Sequence, residues 1–440
     1  MRYDKFFEIA KAKGIEEVEL SISTSSELSF SLFHGEIDNY SSSNNSSYLA
    51  RGIYKGKMGA IVSDSWDKTS PERFVNEIIN NAKFIENDDP VFIFKGSPKY
   101  KKVNTFNKDL EKVSIDTKIS KLKNLESKIK SADKRIVEVE SVQYEECSNS
   151  ITIINSHGLK LSQKSNYYLF YGGAVAKENG QTKTGGEIFF DNDFSKVDID
   201  ALAKTIANNA IEQLSGEAPK SNQYKAVLAP EVVKSLLNAY ISSAIAEEVQ
   251  KNSSLFIGKL NKKVASSKVT VSDLPMKKTV FARYFDDEGV ATYNKDIIKN
   301  GVLQTYLYNL SSAAKDGVNS TGNGVVSGSK TSTDTTYVEM KPGKKSQQEL
   351  FEYVNNGVYI TDVQGLHAGL NPRSGNFSLQ STGFLIKDGK KSKGLDIITI
   401  SGNLVDLFMS VELVGNDSKA FVNSIKVPSV VVKKLTVSGK

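Results

Sequence analysis

The chain contains very little cysteine and histidine, and this scarcity limits the sites that it can build. Cys147 is its single cysteine, which excludes an internal disulfide and a thiolate cluster that holds zinc. The histidines His34, His157 and His367 lie far apart. No pair has the i, i+4 or i, i+5 spacing that places two imidazoles on one helical face. We therefore expect no metal site in this chain.

Long hydrophobic runs and arginine are also scarce. No apolar run approaches the roughly 20 residues that span a bilayer, and the stretch Met1–Leu20 lacks the apolar centre of a signal peptide. We therefore expect a cytoplasmic protein with no membrane partner. The net charge is only +6, and the basic residues are almost all lysine. Because arginine supplies the bidentate fork that reads bases and phosphates, we expect no nucleic-acid partner.

The residues that are present predict a globular α+β protein whose first domain covers residues 1–90. A length of 440 residues with 39% apolar and 25% charged side chains suffices for a large core in two or three domains. Apolar spacing predicts a helix over Tyr3–Ala10, and alternation predicts strands over Leu28–Leu32 and Tyr48–Tyr54. Ser70 as an N-cap, followed by proline at the first helical position, predicts the start of a second helix.

Two further domains are expected after this first unit. A central domain of long strands and helices is predicted over residues 108–216, where Ile115–Ile129 carries an apolar stripe of helical spacing. A strand-rich C-terminal domain is predicted over residues 222–440, with one helix over Glu231–Gln250 near its start. Gly, Asn and Ser mark the turns that follow. Sheets combined with segregated helices indicate the α+β class.

A group of three consecutive acids precedes a glycine in the segment Phe285–Gly322. Asp286 and Glu288 can share one side of a strand or turn, whereas Asp287 cannot join them. Such a pair suits acid–base chemistry or a hard metal ion. The alternative is structural, with the carboxylates accepting backbone hydrogen bonds in a crowded loop.

A second candidate segment, Gly365–Phe377, is dense in glycine and small polar residues. Loops of this composition bring backbone close to a ligand. His367, Asn371, Ser374 and Gly375 are therefore candidate substrate-binding residues, together with Asp286 and Glu288. The alternative is a structural loop that carries a surface histidine.

The order of these segments resembles the TldD/PmbA family, whose members form paired-subunit cytoplasmic peptidases. The likeness covers most of the chain. It rests on a series of short motifs, weaker in the first half and specific in combination in the second: Arg51–Ala60, Asn155–Gly158, Phe285–Gly322, Gly365–Gly383, Gly402-Asn403 and Gly415–Asp417.

One branch of this family carries an HExxxH helix, in which two histidines bind zinc and the glutamate acts as general base, with a later cysteine completing the site. The matching helix here is Ser235–Ser243. Asn238 and Ser243 stand at the histidine positions, and Ala239 stands at the glutamate position. No cysteine follows Cys147. The resemblance therefore implies the other branch, PmbA or TldE, with zinc expected only in a TldD-like partner.

This branch implies a metal-free subunit with no catalytic residue of its own. Such a subunit helps to form the dimer interface and a cleft for unfolded peptides, in which β-augmentation suits an extended chain of any sequence. The older family label, modulator of DNA gyrase, implies an indirect connection. Two alternatives stay open: a homodimeric, chaperone-like peptide-binding module without proteolytic activity, and an independent hydrolase that uses a site around His367 with Asp286 and Glu288.

Overall fold

The computed structural model describes residues 3–86, 88–214 and 216–439. The domain ranges predicted from the sequence also include residues 1, 2, 87, 215 and 440, which lie outside the described residues. The described residues combine helices with mainly antiparallel sheets, so the α+β prediction is confirmed.

The first half of the chain builds one antiparallel sheet in the order β3-β2-β1-β4-β5-β6. Its strands are unusually long: β1 (Glu17–Phe33), β2 (Glu36–Tyr54), β3 (Lys57–Ser63), β4 (Ile136–Asn155), β5 (Lys160–Glu178) and β6 (Gln181–Asp191). β1 pairs with β4 from Glu19 opposite Asn155 to Leu32 opposite Val142. The strands of the predicted N-terminal and central ranges therefore share a single sheet.

Four helices cover the two ends of this sheet and leave its middle polar: α1 (Asp4–Ala12), α2 (Ser70–Ala82), α3 (Ile115–Ser131) and α4 (Ile199–Ile211). Phe6 and Phe74 pack on one end of the strands, whereas Leu122 and Ile206 pack on the other. Gly59 of β3 permits the close packing of α2 on this sheet, because a Cβ at Gly59 would lie 1.9 Å from the carbonyl oxygen of Ile78 in α2.

The second half of the chain contains a closed ring of five strands: β7 (Asn222–Leu228), β14 (Gly357–Gln364), β15 (Asn376–Lys387), β16 (Lys390–Asn403) and β20 (Val430–Ser438). β7 pairs with both β14 and β20, and β16 closes the ring by pairing with β20 near its end. β17 (Val411–Val414) adds to the outside of β20. Closure removes most of the free strand edges of this unit.

A third sheet packs against the ring in the order β10-β9-β8-β13-β19-β18. Its strands are short: β8 (Val271–Asp273), β9 (Lys295–Lys299), β10 (Val302–Leu303), β13 (Val338–Met340), β18 (Lys419–Phe421) and β19 (Ile425–Val427). β11 (Gly324–Ser327) and β12 (Lys330–Thr333) form a separate hairpin. One large apolar core joins the ring to this sheet.

The C-terminal helices are short: α5 (Pro230–Ile241), α6 (Ala246–Gln250), α7 (Leu310–Asp316), α8 (Gln347–Val354), α9 (Leu366–Gly369) and α10 (Leu404–Met409). The prediction of one helix over Glu231–Gln250 was wrong. Ile245 has an extended backbone between α5 and α6, because Ala246 N donates to Leu307 O at 3.0 Å. Within the described ranges, no helix is both long enough and apolar enough to cross a bilayer.

Candidate functional site

The acid-rich segment lies where the first sheet meets the C-terminal half. Phe285 is buried with Ile153 and Leu161 of the sheet in one apolar cluster. Tyr284 extends this contact, because its hydroxyl donates to Ser162 O at 2.6 Å. The segment that looked most like a catalytic motif is therefore part of the junction between the two halves.

Asp286 holds the backbone of its own loop. Its Oδ1 accepts hydrogen bonds from Glu288 N at 3.0 Å and from Val290 N at 2.9 Å. Its Oδ2 accepts from Gly324 N at 2.8 Å. Gly289 between them has a φ of +83°, which L residues rarely adopt. This geometry agrees with the structural alternative, in which the acids accept backbone hydrogen bonds.

Glu288 is also buried and points toward the start of α7. Its Oε2 accepts a hydrogen bond from Leu310 N at 2.8 Å. Gly324 closes over this carboxyl group, because a Cβ at that position would lie 2.4 Å from Glu288 Oε2. With an exposed fraction of 3%, Glu288 has little access to solvent or to a substrate.

A buried ion pair from the first sheet faces this loop. Arg51 Nε donates to Glu19 Oε1 at 2.9 Å, and the two side chains are 2% and 1% exposed. Arg51 also interacts electrostatically with Glu288 and Asp286. Glu19 Oε2 and Arg51 Nη2 find no hydrogen-bond partner among the described residues. Three carboxyl groups therefore surround one guanidinium group, so full ionisation leaves an excess of negative charge.

The shared environment shifts the proton affinities of these carboxyl groups. Burial, followed by the charge of Asp286, raises the pKa of Glu288 to about 8, although Arg51 acts in the opposite direction. Burial raises the pKa of Asp286 to about 6, although the hydrogen bonds that it accepts from backbone amides act in the opposite direction. Burial also raises the pKa of Glu19. The cluster therefore holds a proton near neutral pH.

A polar cavity of about 550 Å³ lies beside this cluster, between the middle of the first sheet and the C-terminal half. Asp286 borders it together with Arg283 and Asp287, whose side chains form an ion pair at 2.6 Å. The opposite wall is made of serine and asparagine side chains from β1, β2 and β4.

His367 is exposed in the short helix α9, away from the acids, and Asn371, Ser374 and Gly375 lie in the loop that follows this helix. Asn371 Oδ1 accepts hydrogen bonds from Arg373 N and Ser374 N, and Gly375 N donates to Asn371 O at 2.8 Å. Ser374 O accepts from Asn403 Nδ2. A shallow cavity of about 520 Å³ runs beside Asn371.

The six predicted substrate-binding residues therefore fall into two groups. No hydrogen bond or ion pair within the described chain joins His367 to Asp286 or Glu288. The role of these six residues in binding substrate therefore stays a prediction. The structure does not bring them together as one catalytic cluster.

Helix α5 was expected to match the zinc-binding helix of the family. Asn238 is exposed, Ala239 is half-buried, and Ser243 is buried directly after the helix. The carbonyl oxygen of Ser243 accepts a hydrogen bond from Ser254. An amide, a methyl group and a buried hydroxyl do not fit zinc and its general base. Among the described residues, no three His, Cys, Asp or Glu side chains form a group that could hold a metal ion.

An open groove of about 960 Å³ begins beside α5 and was not predicted from the sequence. Glu231 and Lys234 of α5 line it, with Thr361 of β14 and Phe421 of β18. The edge strand β6 forms the opposite wall. Lys419 spans the groove by pairing with Glu231 at 2.8 Å and with Glu187 of β6. These side chains come from distant parts of the chain, and no local motif marks them.

Comparison with known proteins gives matches along most of the chain. Three family models match in order: PmbA/TldA metallopeptidase domain 1 over residues 18–82, the central domain over residues 108–214, and the C-terminal domain over residues 221–439. The Metalloprotease MJ0996 of Methanocaldococcus jannaschii is 28% identical over 400 residues, which is 87% of this chain and 86% of that protein.

Solved structures match over nearly the whole chain. A crystal structure from Thermotoga maritima (TM0727), described as a modulator of a DNA gyrase, has a TM-score of 0.92 and 31% identity, covering 99% of both chains. TldE from Thermococcus kodakarensis has a TM-score of 0.92 over 100% of both chains, and at 21% identity this similarity concerns the fold.

Proposed function

The chain belongs to the PmbA/TldD metallopeptidase family, and we propose that it is a metal-free subunit that acts with a zinc-bearing, TldD-like subunit of the same family. In this assignment the partner supplies the HExxxH helix and the zinc. This chain supplies part of the interface between the subunits and part of the cleft that holds an unfolded peptide.

The observation that carries the proposal is the chemistry of helix α5. In a peptidase of this family, two imidazoles and one carboxylate on the matching helix would bind the metal and accept a proton from water. Asn238, Ala239 and Ser243 provide neither a strong zinc ligand nor a base at those positions. Since the buried acids Asp286 and Glu288 bind backbone amides instead, they do not replace the missing groups.

The groove beside α5 supports a role in holding peptide. It is open, about 960 Å³ in volume, and bordered by Glu231 and Lys234 on one side and by the strand β6 on the other. An edge strand offers backbone donors and acceptors to an extended chain regardless of its side chains. An unfolded substrate of variable sequence fits such a surface.

The proposal is tested with the purified chain and with a TldD-like subunit that carries HExxxH. We expect the isolated chain to retain no stoichiometric zinc after dialysis and to leave an unstructured peptide intact. Cleavage should appear when the TldD-like subunit is added. Cleavage of the peptide by the isolated chain contradicts the proposal, and so does a complex whose activity does not change when this chain is omitted.

A further inference from the structure

The groove beside α5 is negatively charged, although the chain as a whole is positive. Five acids line this groove, against the three lysines Lys234, Lys391 and Lys419. The net charge of the chain is +6. A preference of the groove for cations would therefore arise from its own side chains, because the charge of the whole molecule acts in the opposite direction.

The three lysines of the groove show how it binds an ammonium group. Lys391 pairs with Glu212 at 2.7 Å, and Lys419 bridges two glutamates across the groove. The ammonium group of Lys234 lies 4.7 Å from the centre of the Phe421 ring. Carboxylates and aromatic faces are the groups that hold such cations in proteins. The groove therefore already binds cations of this chain with its own acids and rings.

Two acids of the groove, Glu140 and Asp362, have no lysine of their own. Among the residues that the structure describes, neither forms an ion pair, although Gln364 Nε2 donates to Asp362 Oδ2 at 3.0 Å. Glu140 is exposed on β4, and Asp362 is half-buried on β14. Each half of the molecule therefore contributes one carboxyl group that stays available to a cation of a ligand.

Both of these acids stand at irregularities of their strands. β4 bulges at Glu140, where its register with β5 shifts. β14 bulges at Thr361, directly before Asp362. Because Ile360 and Val363 both point into the apolar core, the two consecutive side chains between them border the groove. Bulges redirect side chains in this way, and here they turn a carboxyl group into the groove from each side.

Glu140 is also accompanied by an aromatic ring. Tyr171 lines the groove beside it, and the two side chains converge over Gly173. A Cβ at Gly173 would lie 3.2 Å from Glu140 Oε2 and 3.0 Å from Tyr171 Oη. An acid next to an aromatic residue is the combination that the groove uses for its own lysines, but here it lacks a cation.

We propose that the groove beside α5 selects basic segments of unfolded peptides, whose lysine or arginine side chains pair with Glu140 and Asp362. The inference rests on the proposed function, because it takes this groove as the surface that holds peptide, and it adds the charge of the segment that is held. Backbone pairing along β6 accepts many sequences. Since solvent-accessible ion pairs are each weak, the two acids together should change peptide affinity about five- to tenfold.

The first test measures the binding of three labelled peptides to the full chain by fluorescence anisotropy. The peptides have equal length and the same unstructured glycine, alanine and serine background, and they differ only in carrying spaced lysines, glutamines or glutamates. We expect the lysine peptide to bind about five- to tenfold more tightly than the glutamine peptide, and the glutamate peptide to bind most weakly. Because the acids are accessible to solvent, added salt should reduce this difference.

The second test removes the two charges without removing the groove. Glu140→Gln/Asp362→Asn keeps side chains of nearly the same shape, and the new amide at position 362 can still accept the hydrogen bond from Gln364. In this variant the lysine and glutamine peptides should bind within about twofold of each other. The matched control is Glu8→Gln/Asp116→Asn, which removes the same charge at exposed positions of α1 and α3 and should keep the preference for lysine.

The third test follows the same peptides in the complex reconstituted with a TldD-like subunit. The lysine peptide should have the lower KM, and Glu140→Gln/Asp362→Asn should raise that KM toward the value of the glutamine peptide. The effect is expected mainly in KM rather than in kcat, because the two acids hold the peptide and take no part in the bond cleavage.

Three results of the binding measurements overturn the inference. They are equal affinity for the three peptides, no detectable binding of any of them, and a lysine preference that survives in Glu140→Gln/Asp362→Asn. The first and third results leave the assignment as a peptidase subunit in place. A complex that cleaves none of the peptides contradicts that assignment instead, whereas the charge preference is decided by binding to the full chain alone.

Discussion

Arg51 and Glu19 form a buried ion pair in which Nε and Oε1 lie 2.9 Å apart, within electrostatic reach of Asp286 and Glu288 on the opposite side of the junction. Glu19 and Arg51 lie on neighbouring strands of the first sheet, whereas Asp286 and Glu288 lie in a hydrogen-bonded loop of the C-terminal half. The pair therefore belongs to the contact that joins the first sheet to the C-terminal half, where the most distinctive acids of the sequence are buried.

The Arg51 side chain should be essential for stability. Arg51→Leu removes the guanidinium group that lies nearest the three buried carboxyl groups and leaves Glu19 without its ion-pair partner, so we expect a loss of about 3–5 kcal/mol in the free energy of unfolding. Urea unfolding measures this loss. Arg135→Leu, which breaks the more exposed pair with Asp133, is the control and should shift the midpoint only slightly. Similar midpoints for the two variants would contradict the role assigned to Arg51.

The protonation of Glu288 should make stability depend on pH. The folded-state pKa of about 8 lies above the ordinary value of 4.5, so the folded chain keeps a proton that the unfolded chain has lost. This contribution is complete below about pH 4.5 and is lost as the pH rises through about 8, and each unit of difference corresponds to about 1.4 kcal/mol.

Glu288→Gln carries a permanently neutral group that can still accept the hydrogen bond from Leu310. We therefore expect its free energy of unfolding to decline less than that of the natural chain between about pH 5 and pH 8.5. Because Asp286 and Glu19 also titrate, the free energy of unfolding should still depend on pH to some extent in both proteins. Glu72→Gln, at an exposed position of α2, controls for the loss of one carboxylate. Parallel profiles for Glu288→Gln and the natural chain would refute the assignment.

Gly324 should tolerate no side chain. A Cβ there would lie 2.4 Å from Glu288 Oε2 in a fully packed position, so Gly324→Ala should destabilise the fold by about 1–3 kcal/mol. Gly394 is also buried in a strand, but its nearest contact to a Cβ would be 3.5 Å away. Thermal unfolding of Gly394→Ala should therefore resemble that of the natural chain. Equal destabilisation by the two substitutions would show that the cause is not the contact with Glu288.

Two cavities are candidates for the proposed peptide-binding cleft, and a matched pair of substitutions distinguishes them. Thr361 lines the groove beside α5, whereas Thr335 lines the polar cavity near Asp287. Thr361→Arg should lower peptide cleavage by the reconstituted complex at least about tenfold, because the added side chain fills the groove and opposes an extended backbone. Thr335→Arg should leave cleavage nearly unchanged. The reverse result would move the proposed substrate cleft to the polar cavity.

Much of the local structure could be predicted from apolar periodicity. The stripe over Ile115–Ile129 corresponds to α3, and the alternation over Tyr48–Tyr54 corresponds to the last part of β2. The polar middle of β1 and β2 was harder to predict, because neither face of those segments is buried and no alternation results. The predicted N-cap at Ser70 was one residue late: Ser70 is already helical, and Asp67 Oδ1 accepts hydrogen bonds from Thr69 N and Ser70 N.

The site was less predictable than the fold because its contacts join distant residues. The pairing of Asp286 and Glu288 on one side of the loop followed from sequence order, but their contact with Arg51 depends on how the two halves pack. The groove beside α5 likewise depends on Lys419 meeting Glu187 and Glu231. No local pattern in the sequence encodes such contacts.

The central claim, that this chain is the metal-free member of a two-subunit peptidase, is tested most directly by locating the catalytic groups in the reconstituted complex. The complex is assembled twice, once with an intact TldD-like subunit and once with the glutamate of its HExxxH motif replaced by glutamine. The account predicts cleavage of an unstructured peptide in the first case and none in the second, with equal assembly in both. Cleavage that persists after the partner's glutamate is replaced would contradict the account, because the remaining activity would then come from this chain.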